Sequence, residues 1–146
     1  MFDSKKLILA ILLFNSLLST MILSQEVGKI FDKNEADELY GPVIEKKVIS
    51  AVDLELLLLS TNDKIMFRLE NNIHTILGDE RKLLYCSDKF VESKQIFYMY
   101  SKTKVIELHI GGSVESVTLA QRKDVFSITA GNYTLEDSMP CPPYCN

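Results

Sequence analysis

The sequence predicts an α+β fold: a single small domain, mainly antiparallel sheet of short strands with two to three short helices. Three observations predict it. Short apolar–polar alternations recur, at Ile65-Phe67-Leu69, Val117-Leu119 and Phe126-Ile128-Ala130, the period of a half-buried strand. Asn71-Asn72 and Gly131-Asn132 stand between such runs and tolerate the positive φ of tight hairpin turns. The helical stretches fall between strands without a βαβ rhythm, which excludes a doubly wound parallel sheet. Neither an internal repeat nor a low-complexity stretch is visible in the sequence.

The chain divides into residues 1–24, residues 25–138 and residues 139–146. Lys5 and Lys6 precede the apolar run Leu7 to Leu13; Leu17, Leu18, Met21, Ile22 and Leu23 continue it to Ser24. Positive flank, apolar middle and small terminal residue are the pattern of a secretory signal peptide. Leu7 to Ser24 is 18 residues, the short limit for a membrane span. Asn15, Ser16, Ser19 and Thr20 make it a poor anchor, because hydrocarbon leaves such groups unsatisfied. The protein is therefore expected to be secreted or periplasmic, with membrane contact only through an uncleaved signal segment. That compartment permits disulfides.

Removing residues 1–24 takes away Asp3, Lys5 and Lys6, so the net charge moves from −4 to −5. This mild acidity argues against nucleic acid as a partner. The arginines are Arg68, Arg81 and Arg122 alone, a weak complement for reading phosphate forks.

Residues 25–33 read as an irregular lead-in. Asn34 is an N-cap candidate, and Gly41-Pro42 stops the helix Glu35 to Tyr40. Its carboxylates, with Asp32, lack the glycine and terminal glutamate spacing of a calcium loop and read as a solvated face. Val43 to Ile49, with lysines in its middle, suits an edge strand. Ser50 and Asp53 form a capping box in front of a leucine run. Ala51 to Ser60 is thus a helix, apolar on most of its circumference and expected to be buried on more than one side. Strands follow at Lys64 to Leu69, Ile73 to Leu77, Leu83 to Cys86 and Ile96 to Tyr100. Ser101 caps a helix from Lys102 to Ile110 that Gly111-Gly112 ends by the left-handed route. A three-stranded meander through Val117, Phe126 and Tyr133 completes the domain.

The sequence carries little that points to enzyme chemistry. G-x-S-x-G, H-E-x-x-H, a phosphate-cradling glycine loop and a dinucleotide fingerprint are all missing from the sequence. A nucleophilic mechanism needs His74 or His109 beside Cys86 or a serine. The simpler reading is a polar strand position for His74 and a small buried hydrophobe for Cys86. Asn132-Tyr133-Thr134 matches a glycosylation sequon. Cys141 and Cys145 are expected to form a disulfide, leaving Cys86 reduced. The alternative is a thiol- or metal-dependent (copper or redox) site built from Met139, Cys141 and Cys145.

These features point to an exported non-enzymatic binding or envelope protein whose partner is a protein, a glycan or a small molecule. No cofactor is implied. Tyr98 and Tyr100 mark one sheet face as a contact surface if it is uncovered. A hydrolase with scattered carboxylates around His74 or His109 is the remaining rival. The mature chain is expected to begin at Gln25; intact-mass analysis of exported protein that still carries residues 1–24 would contradict this.

Overall fold

Three strands of this protein run without a loop into helices, and two of these junctions, at Ser50 and Ser101, organise the fold. The computed structural model describes residues 25–90 and 94–145; the expected signal peptide, residues 1–24, lies outside them. In chain order the elements are β1 (Lys29–Asp32), α1 (Lys33–Tyr40), β2 (Glu45–Ser50), α2 (Ala51–Leu59), β3 (Lys64–Glu70) and β4 (Ile73–Leu77). After a 3-10 turn (Asp79–Arg81) come β5 (Leu83–Cys86), β6 (Phe97–Ser101), α3 (Lys102–Gly112), β7 (Ser116–Gln121), β8 (Phe126–Ala130), β9 (Tyr133–Glu136) and β10 (Met139–Cys141). The protein is a small α+β domain, as its alternation pattern predicts.

The strands form two five-stranded antiparallel sheets, ordered β1-β9-β8-β7-β2 and β10-β6-β3-β4-β5. Their order exposes a duplication that the residues hide. β2-α2-β3-β4-β5 and β6-α3-β7-β8-β9 share one connectivity: a lead strand, a helix, then a meander. Each lead strand crosses to the other unit, β2 pairing with β7 and β6 with β3. The first residue of α2 is tied to the other unit as well, the Ala51 N–H donating to the Glu115 carbonyl at 2.9 Å.

Between the units lies one continuous core, in which Leu54 and Leu58 of α2 and Val105 and Leu108 of α3 meet Ile65, Phe67, Leu119 and Ile128. Phe67 stacks on Phe126 at 5.7 Å between ring centres. The Tyr100 hydroxyl, fully buried, donates to the Leu135 carbonyl at 3.2 Å and also approaches the Phe126 carbonyl. A second, smaller core covers the outer face of β3 and β6, where Met66, Leu77, Phe97 and Met99 pack with Val27 and Cys141. β3 is thus covered on both faces along part of its length. The half-burial read from its alternation holds only at its far end, because the tail folds back as β10. Pro140 fits there because an edge strand has one side that needs no N–H donor.

Several local expectations change. Residues 29–32 are a strand, held by β9 rather than by any pattern of their own. The N-cap of α1 is Asp32, not Asn34, since Lys33 already takes helical geometry. Ser50 caps α2, accepting from the Val52 N–H at 3.2 Å. Gly111 and Gly112 lie inside α3, and the left-handed cap is Ser113. Gly112 serves close approach instead: a Cβ there would stand 2.7 Å from that of Ala130. The loop into β3 is pinned by Asp79, which accepts from Asn62 N–H at 2.6 Å, Lys64 N–H at 2.9 Å and the Thr61 hydroxyl at 2.9 Å.

Helix α2 is buried on one side only. Ala51, Leu54 and Leu58 face the core, whereas Val52, Leu56 and Leu59 are 62 %, 59 % and 79 % exposed. The expected second buried side has no cover because nothing else among the described residues reaches it. Leu54→Ala should therefore cost about 2–5 kcal/mol of stability, while Leu59→Ala should change it by under about 0.5 kcal/mol. Urea unfolding of the pair checks this, and equal losses would refute the one-sided seating of α2.

Candidate functional site

The duplicated halves do not seat their helices alike. α3 packs on β8 and β9, with Gly112 drawn close to Ala130. α2 packs chiefly on β2 and β7, and a cleft of about 480 Å³ opens between it and β4 and β5. Val48 and Ile49 of β2 and Leu56 and Leu57 of α2 form one wall; His74, Ile76 and Tyr85 form the other. Asp53, Ser50 and Ser60 supply the polar part of the lining. Ser50 is committed to capping α2, and the Ser60 hydroxyl donates to the Leu56 carbonyl at 3.0 Å.

His74 is the polar centre of this wall. It is 6 % exposed, and its Nδ1 is buried with no hydrogen-bond partner. Its ring lies 4.9 Å from that of Tyr85. Burial, reinforced by the Lys47 ammonium, lowers its pKa below the ordinary 6.5, so the imidazole is neutral at physiological pH. The cleft is accordingly a mainly apolar slot with one neutral imidazole in its wall and the Asp53 carboxylate in its lining.

The Cys86–His74 pairing considered from sequence does not form. Thr75 faces Cys86 across the β4–β5 ladder, and their side chains meet at 3.3 Å. His74, one residue earlier on β4, points to the opposite face of the sheet. On its own side of the sheet, away from His74, Cys86 lines a shallow cleft of about 230 Å³ with Arg68, Thr75 and Lys89. His109 sits elsewhere, 2.5 Å from Glu55 across the α2–α3 contact. Tyr100 is fully buried and Tyr98 is partly buried against the core, so the two tyrosines do not form an open contact face together. Asn132 is exposed in the β8–β9 turn; Tyr133 is exposed too, and Thr134 is buried.

The tail sulfurs of Cys141 and Cys145 are 1.98 Å apart, a disulfide, and Cys86 is free. Sulfurs joined to each other are not thiolate ligands, so the Met139, Cys141 and Cys145 metal reading lacks its donors in this arrangement. Among the described residues no group of three His, Cys, Asp or Glu side chains converges as a metal site. Arg81 secures the tail, donating to the Cys141 carbonyl at 2.9 Å and lying over the Phe97 ring at 5.0 Å.

The most displaced carboxylate lies outside the cleft. Glu136 is fully buried beside Arg122, which is 2 % exposed. The Ser127 hydroxyl donates to Glu136 Oε1 at 2.5 Å, and Arg122 Nε donates to the Ser127 oxygen at 2.8 Å. Arg122 also reaches Asp37 at 2.8 Å and the Gly41 carbonyl, fastening α1 to the sheet. Sequence reasoning missed this cluster because its members are scattered from residue 37 to residue 136 without a spacing signal.

Comparison with protein families, with curated proteins and with solved structures gives no match to this chain.

Burial is the largest influence on Glu136 and pushes its carboxyl up to about 7, against the lowering effects of Ser127 and Arg122. From the ordinary value of 4.5 up to about 7, the folded state keeps a proton that the unfolded chain releases. Stability should therefore fall as pH rises through that window, by up to about 1.4 kcal/mol per pH unit. Asp79 acts in the opposite sense and at lower pH. Burial raises its pKa, but the hydrogen bonds from Asn62, Thr61, Asp63 and Lys64 outweigh this and hold it below 3.8. Denaturation midpoints at pH 4.5 to 8 for wild type and Glu136→Gln check the assignment: the variant should lose this slope, and parallel curves would refute it.

Proposed function

We propose that this protein is an exported, non-enzymatic binding domain that takes an apolar group of its partner into the α2/β4/β5 cleft. The observation that carries the reading is the unequal seating of the two helices. The cleft lies where the other half of the fold has a close helix–sheet contact, and its walls are Leu, Ile, Val and Tyr around one neutral imidazole. Concave apolar surfaces with few polar groups are the usual form of a ligand site. Leu56 and Val48, 59 % and 57 % exposed, leave its rim apolar.

Among the described residues, no acid or nucleophile is hydrogen-bonded to His74 Nδ1, which favours binding over catalysis. Export is supported by the pattern of residues 1–24 and by the compatibility of the Cys141–Cys145 disulfide with an oxidising compartment. Among the described residues, no helix is long and apolar enough to cross a membrane.

Titration of the amide resonances with N-acetyl-leucinamide and N-acetyl-phenylalaninamide tests the reading. Saturable shifts should cluster at Val48, Leu56, Leu57, His74 and Tyr85. Leu56→Lys, at an exposed position, should weaken them about tenfold, or 1.4 kcal/mol, without unfolding the domain. Shifts that are absent, scattered, or unchanged in Leu56→Lys would overturn the assignment.

A further inference from the structure

The cleft between α2 and the β4–β5 pair has one formal charge in its lining. Ser50 and Ser60 are committed to α2, accepting from the Val52 N–H and donating to the Leu56 carbonyl. His74 is neutral at physiological pH, so its ring adds no charge to the wall. Asp53 remains. It lines the cleft, it is exposed, and among the described residues nothing is hydrogen-bonded or ion-paired to its carboxylate. The capping box read from the sequence is thus half made: Ser50 bonds to the backbone of α2, and Asp53 makes no bond back to Ser50. Glu55, the other acid of α2, is taken by His109.

We propose that the cleft selects a small-molecule amine with an apolar body, its ammonium at Asp53 and its apolar part between α2 and the rings of His74 and Tyr85. This rests on the cleft being the binding site. A ligand that fills the apolar walls also removes water from Asp53. A neutral head leaves that carboxylate without a counter-charge, which is unfavourable, and an anionic head is repelled. An ammonium pairs with it and donates to it, and charge-assisted hydrogen bonds are the stronger kind. Lys47 is the opposing charge, since its ammonium acts on His74. It lies outside the lining, three residues before Ser50 on β2, a strand distance of about 10 Å. A contact pair at about 4 Å outweighs a like charge at that distance, which salt also screens. The acidic balance of the whole chain, −4, favours the approach of a cation as well. Tyr85 is 43 % exposed and its ring stands beside that of His74, a flat surface that suits an aromatic body. The cleft, about 480 Å³, falls within the range of small-molecule sites, roughly 300–1,000 Å³.

Probes that share a phenethyl body and differ in their heads test this on the full exported chain: phenethylamine, phenethyl alcohol and phenylpropionate. Titrations followed at the amide resonances of Val48, Leu57, His74 and Tyr85 should rank them amine, alcohol, carboxylate. The amine should bind about fivefold more tightly than the alcohol, the upper end for a partly solvated ion pair. Asp53→Asn should bring the amine-to-alcohol ratio to about one, and Asp53→Lys should place the carboxylate first. Both substitutions fall on an exposed side chain that bonds to nothing among the described residues, and unchanged far-ultraviolet dichroism separates their effects from misfolding. Alcohol binding in the cleft with no margin for the amine, or a margin that survives Asp53→Asn, would overturn the amine assignment and leave the cleft as the site. If none of the probes shifts these resonances, the cleft reading falls and the amine assignment falls with it.

Discussion

The exchange of lead strands is the constraint on which the architecture depends. β2 pairs with β7 and β6 with β3, so neither half can complete its sheet without the other. The direct passage from strand to helix enforces this. Ser50 and Ser101 each end a strand and open a helix with no intervening loop, which fixes where α2 and α3 emerge relative to the sheets. The aromatic centre of Phe67, Tyr100 and Phe126 joins strands of both halves. Loss of that centre would separate two sheets rather than loosen one.

Symmetry in connectivity does not extend to packing. At the end of α3, Gly112 removes the side chain that would keep the helix from β8. α2 has no glycine at the corresponding end, and Leu56, Leu57 and Ser60 line the cleft there. The result is a close contact in one half and a cleft in the other. A difference of a few side-chain volumes thus decides where the molecule offers a concave apolar surface, and His74 is the imidazole placed in its wall.

The tail acts as a cover. Cys141 is fully buried against Met66, Leu77, Phe97 and Met99, and its disulfide to Cys145 closes a short local loop. A loop of that length removes little chain entropy from the unfolded state. The contribution of these residues therefore rests on covering the outer face of β3 and β6 and on the contact with Arg81. The buried Arg122–Ser127–Glu136 cluster performs a comparable task at the other sheet, holding α1 in place at the cost of a carboxylate whose ionised form is disfavoured.

By itself the sequence determined the local elements: the alternations gave strands, the Asn71-Asn72 and Gly131-Asn132 pairs gave turns, and the capped leucine run gave α2. These signals are short-range, since they arise from side-chain period and backbone preference within a few residues. β1 and β10 were not legible because each is a strand only by virtue of its neighbour, β9 or β6. The duplication was hidden for a related reason, since many apolar sequences satisfy one connectivity. The candidate site was equally out of reach of sequence. Val48, Leu56, His74 and Tyr85 carry no common spacing, and the leucines of α2 looked alike until the fold buried Leu54 and Leu58 and left Leu56 and Leu59 uncovered. Which side of an all-apolar helix meets protein is set by what lies opposite it, and only the tertiary structure supplies that.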